Sequence, residues 1–64
     1  MSNDLLKYIS DKLEEQRLLQ VDDVSLGKAK EFGDYKFSCG VIRGILIAKN
    51  IIIETAVKLE RDDD

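Results

Sequence analysis

Cys39 is the single thiol of this sequence, and thiol chemistry needs a thiolate generated by a neighbouring base. The chain has no histidine to act as that base, so Cys39 reads as a small apolar residue in a helix interface. One cysteine excludes an internal disulfide, and without histidine it leaves no structural zinc site. Asp22, Asp23 and the terminal Asp62, Asp63 and Asp64 offer oxygen ligands to a hard cation. Their spacing fits no EF-hand loop, and they read as a turn and a tail in water. Tyr8, Phe32, Tyr35 and Phe37 are scattered, without the basic interleaving that stacks bases. No glycine-rich phosphate loop, carboxylate dyad or triad is present. The expectation is no catalytic residue, no metal ligand, no cofactor and no small-molecule substrate.

Two spacings remain. Lys36, Arg43, Lys58 and Arg61 form a basic row, and residues 35–59 carry four basic side chains against one acidic, Glu54. Such a row can meet phosphates or an acidic groove, and more often is a solvated face. Gly40, Gly44 and Ala48 stand at i, i+4 and i+8, a helix ridge almost without side chains. A second backbone can approach such a ridge closely. Each interior glycine costs a helix about 1 kcal/mol against alanine, so a packing contact is the expected compensation.

The elements that must position these residues are helical. Residues 3 to about 19 read as an amphipathic helix. Ser2 or Asn3 caps it, Asp4 sits in its first turn, and Leu5, Leu6, Ile9 and Leu13 share one face. Residues 20–28 hold Asp22, Asp23, Ser25 and Gly27 and read as the turn of an αα-hairpin. From about Ala29 to Glu60 a second, longer helix is expected. At 100° per residue, Phe37, Gly40, Val41, Gly44, Ala48, Ile51, Ile52 and Leu59 share a broad face. Tyr35, Cys39, Leu46, Ile53 and Val57 form a narrower stripe, with Lys36, Arg43, Asn50, Glu54 and Arg61 between them. Glu54 and Lys58 stand at i,i+4 in the favourable order. Gly33 marks a weak point, with Asp34 able to recap after it. The competing architecture is α+β with a C-terminal β-hairpin. Six isoleucines from Ile42 to Ile53 favour strands, and residues 44–48 and 51–56 flank Lys49-Asn50. Against it, Ile51-Ile52-Ile53 does not alternate and Lys-Asn is a poor two-residue hairpin turn.

The predicted architecture is all-α: one domain over residues 1–64, a two-helix antiparallel hairpin ending in an acidic tail, 61–64. At 1.5 Å per residue the first helix spans roughly 25 Å and the second roughly 48 Å. Folded back, the first would cover half of the second and leave bare a stretch from Leu46 that includes Ile47, Ile51, Ile52, Ile53, Val57 and Leu59. Sixty-four residues bury too little surface to be comfortable alone. The candidate interface is therefore Gly40, Gly44, Ala48, Ile51, Ile52, Ile53, Val57 and Leu59, and the expected partner is protein, a second copy or another chain.

Composition narrows the remaining classes. With 44% hydrophobic and 36% charged residues the chain is too apolar for disorder and too charged for a membrane span. A net charge of −3 gives no global attraction to nucleic acid or an anionic membrane. The uncharged stretch 44–48 falls far short of the ~20 residues needed to cross a bilayer. Asp4 and Lys7 interrupt the first apolar residues, so no signal peptide is expected. The expected location is the cytoplasm of the producing, bacterial, cell, or a virion.

The run Asp34-Tyr35-Lys36, Cys39-Gly40-Val41-Ile42-Arg43-Gly44-Ile45, Ala48, Ile52 and Leu59-Glu60-Arg61-Asp62-Asp63 resembles small helical-hairpin proteins encoded by tailed bacteriophages. Those carry an aromatic residue, then Gly-x-Ile-x-Gly-Leu, alanine and isoleucine at helical spacing, and an acidic end. Ile45 stands where leucine is commoner. The resemblance covers residues 27–64 and brings no defined site. It implies a non-enzymatic structural or assembly component of a phage particle or similar complex. A small regulatory binder that inhibits or redirects a host enzyme is the alternative, and a nucleic-acid-binding module ranks third.

Overall fold

The computed structural model describes residues 2–28 and 30–62, without the side chains of Ser2, Asn3 and Asp62. The expected Ser2 or Asn3 cap, the Ala29 start of the second helix and the end of the acidic tail at Asp63 and Asp64 lie outside what it describes. The fold is the predicted all-α two-helix hairpin, α1 over Ser2–Ser25 and α2 over Phe32–Asp62. No strand occurs among the described residues, so the isoleucine-rich segment is helical. The molecule measures 51 × 15 × 11 Å, a rod one helix thick and two wide.

α1 runs six residues beyond the expected end at 19. Its inner edge explains why: Leu6, Ser10, Leu13, Arg17, Gln20 and Val24 are all half-buried, at alternating spacings of four and three. Val21 and Val24 extend the packing edge past Leu19, whereas Asp22 remains exposed. The polar cluster that reads locally as a turn is thus one more helical turn, held by two valines that find partners.

The stop comes at Gly27, whose φ of 72° is left-handed and open to glycine at no steric cost. The Gly27 amide donates to the Val24 carbonyl at 3.1 Å and the Lys28 amide to the Asp23 carbonyl at 3.0 Å. These are the two reverse bonds of a Schellman cap, and they satisfy carbonyls the helix end would leave free. The Lys28 ammonium reaches the Asp23 carboxylate at 3.2 Å across the same turn. A Cβ on Gly27 would meet nothing within 4 Å, so substitution costs only backbone strain. Gly27→Ala should lower unfolding stability by about 1–2 kcal/mol, read from a denaturant midpoint with unchanged slope.

α2 starts at Phe32, later than the expected residue 29, with the Tyr35 amide donating to the Glu31 carbonyl at 3.1 Å. Gly33 lies in this first turn rather than in the helix interior, and Asp34 places negative charge beside the free N–H groups. Arg61 and Asp62, assigned to the tail, continue the helix.

The two helices are more nearly matched than expected, about 36 and 46 Å long. Leu6, Lys7 and Ser10 of α1 face Ile52, Ile53, Ala56, Val57 and Glu60 of α2 across one cleft. The C-terminal half of α2 is therefore covered along one edge. What it leaves open is lateral: Ile47, Ile51, Ile53 and Val57 stay about half exposed on its sides.

Candidate interaction surface

Which side of α2 meets α1 is read from its half-buried residues: Ser38, Val41, Ile42, Ile45, Ala48, Lys49, Ile52 and Ala56. Ser38, Ile42, Ile45, Lys49, Ile52 and Ala56 alternate in spacings of four and three, the same pattern as α1. The seam thus runs down the valley between the two apolar stripes of α2. α1 covers the inner margin of the broad face, Val41, Ala48 and Ile52, and leaves every residue of the narrower stripe exposed. No described residue is fully buried, so this seam is the only core among the described residues.

The candidate interface residues therefore divide. Ala48 and Ile52 lie on the α1 seam. Gly40, Gly44 and Ile51 lie on one outer flank, and Ile53 and Val57 on the other. Leu59 borders the seam at 36% exposure. A Cβ built on Gly40 or Gly44 would meet nothing within 4 Å outside its own helix backbone, so the two glycines of the ridge are unused inside the hairpin and α1 touches only its Ala48 end.

The register of the seam is marked by charge. Glu14 accepts from Arg17 Nε at 2.8 Å and from Lys49 Nζ at 2.8 Å. Arg17 also bonds the second carboxylate oxygen, making a fork on Glu14. The hydrogen bonds from Arg17 first and Lys49 second hold the Glu14 carboxyl down at about 2. Arg17 is raised in return by its bond to Glu14. A carboxyl with depressed pKa stabilises the fold above its ordinary value near 4.5 and loses that contribution as pH falls toward 2. Wild type should therefore lose more stability than Glu14→Gln between pH 6 and pH 3 in urea titrations. Equal losses would show that the bonds of Glu14 to Arg17 and Lys49 do not stabilise the fold.

The same contact lowers the net positive charge of residues 35–59 without touching Lys36, Arg43, Lys58 or Arg61 of the basic row. Lys49 supplied one of the four positive charges over residues 35–59, and Glu14 neutralises it. Lys36 stands 5.5 Å from the centre of the Phe32 ring. The Glu54–Lys58 pair suggested by spacing is not formed, and both side chains are exposed. On α1, Lys7–Asp11 at 2.9 Å and Lys12–Glu15 at 3.3 Å pair within the helix and face water.

Cys39 is exposed one turn after Tyr35. A side-chain hydrogen bond with Cys39, then its charge, pushes the Tyr35 phenol above its ordinary value. A phenol so shifted remains protonated at neutral pH and is no base for the thiol. A cleft of about 270 Å3 lies between the α1 start and the α2 end, open and apolar apart from Lys7, Ser10 and Glu60. Among the described residues no group of His, Cys, Asp and Glu could hold a metal ion, and no helix is long and apolar enough to cross a membrane. What sequence reasoning missed is the seam itself, because Ser10, Arg17, Gln20, Ser38 and Lys49 make it look polar. Its only signal is the unbroken four–three spacing on both helices. No protein-family model, curated protein or solved structure matches this chain.

Proposed function

We propose that this chain is a non-enzymatic structural or assembly component of a bacteriophage particle or a similar complex, acting by helix packing against other chains. One observation carries the reading. The hairpin spends its only seam holding two helices together and still exposes Phe37, Leu46, Ile47, Ile51, Ile53 and Val57 on both sides of α2, each 42–71% exposed. Apolar flanks of this extent on so small a molecule mark surfaces that meet other proteins. The protonated Tyr35 beside Cys39 and the open, weakly polar cleft support a role without chemistry. The resemblance of residues 27–64 to phage helical hairpins supplies the setting.

Mass spectrometry of purified particles from the producing cell tests this reading. Recovery of the chain in fixed proportion to the major particle proteins is the expected result. Its absence from particles, with recovery on a host enzyme by affinity purification, would replace the assembly role with the regulatory one. Retention on DNA that falls steeply with salt would instead favour the basic row of α2.

A further inference from the structure

Taking the helix-packing reading as its basis, we infer that the partner of the Phe37–Ile51 flank of α2 is a second copy of this chain, crossing antiparallel about a two-fold axis near Gly44. On this flank Phe37, Gly40, Gly44, Ile47 and Ile51 recur at spacings of three, four, three and four. That is the spacing of a helix-pairing seam, and it lies on the side of α2 turned away from α1. All five are exposed, Phe37 at 71%, Ile47 at 50% and Ile51 at 57%, and no charge interrupts them. The opposite flank is less continuous, because Asn50 breaks it and Ile53 and Val57 look into the cleft beside Lys7.

Area says how much must be covered. A compact monomer of 7.3 kDa exposes about 4,200 Å2, whereas this chain exposes 5199 Å2. The excess, roughly 1,000 Å2, meets the ~800 Å2 that each partner contributes to a standard interface. An unrelated partner could supply that area too, but the flank is complementary to itself. With the axis at Gly44, Ile47 comes within one residue of level with Gly40 of the second copy, so bulk meets absence of bulk there, and Phe37 comes level with Ile51 of the second copy. A two-fold repeats each contact, as an isologous interface must.

Charge sets the direction. Lys36 and Glu54 lie on the same outer edge of this seam, eight residues before and ten residues after Gly44, and neither forms an ion pair among the described residues. In the antiparallel crossing Lys36 comes within two residues, about 3 Å of axial rise, of Glu54 of the second copy, twice over. A parallel crossing would leave the two Lys36 on opposite edges of the seam, likewise the two Glu54, and bring neither charge to its opposite.

Sedimentation of the intact chain at micromolar concentration should give twice 7.3 kDa. A monomer at 100 µM would overturn the proposal, and the assembly role would still stand if the chain is recovered from particles. Gly44→Leu should abolish the dimer while keeping the helical circular dichroism, since nothing in its own chain lies within 4 Å of the new Cβ. A Gly44→Leu dimer of unchanged affinity would also overturn it. Lys36→Glu and Glu54→Lys should each weaken association roughly three- to tenfold, and the pair together should restore it to within about twofold. Failure of that restoration would rule out the antiparallel crossing.

Discussion

Ile45→Asp is expected to unfold the hairpin. Ile45 sits mid-seam, half-buried between Ile42 and Lys49, and no described residue elsewhere is fully buried to take up its share of the core. Burying an isoleucine side chain contributes about 1.5–3 kcal/mol when complete, and the aspartate adds the cost of drawing a carboxylate from water toward an apolar seam. A domain of this size holds only a few kcal/mol in total. The two helices would then stand alone, and isolated helices of these lengths are marginal in water. Circular dichroism should show loss of most helical signal and of the cooperative melt. Ile47→Asp is the matched control: the same exchange two residues on, at a half-exposed flank position, should leave the hairpin folded. Equal effects at both positions would mean that α1 does not choose the Ile45 side of α2.

The opposite effect is expected from Gly40→Ala combined with Gly44→Ala. Both glycines sit inside α2, and a Cβ on either meets open space within the chain. Each exchange should stabilise the helix by about 0.8–1.0 kcal/mol, for a combined rise in melting temperature of about 8–15 °C. The gain should be largest at low protein concentration, where the hairpin melts as a monomer. At high concentration the added methyl groups press on the proposed second copy, so the advantage over wild type should shrink. Melting curves across a hundredfold concentration range separate the two terms. A double mutant no more stable than wild type at every concentration would show that the glycines already sit in a contact that leaves no room for Cβ.

Both expectations turn on a distinction between what the amino-acid order decides locally and what packing decides. Two helices, a glycine-ended connection and the absence of strands are legible in the order alone. Helical periodicity acts over neighbouring turns, and Gly27 serves its cap through its own φ and the carbonyls of the preceding turn. The isoleucine run was ambiguous only by propensity; its missing alternation already pointed to helix. The length of α1 was not legible, because Asp22 and Asp23 favour a turn as strongly as Val21 and Val24 favour a seam, and only a facing helix tips that balance. Nor was the side of α2 that α1 covers. Two apolar stripes flank a narrow valley in which Ser38 and Lys49 interrupt the isoleucines, so periodicity points to either stripe and to neither the valley. Tertiary packing decided for the valley, where α1 half-buries Ile42, Ile45 and the inner margin of the broad face and Lys49 finds Glu14. The glycine ridge was visible in the sequence as a close-approach surface, and the hairpin leaves it open. Local sequence sets a helix and its faces, and only the shape and charge of a neighbouring helix determine which face is used.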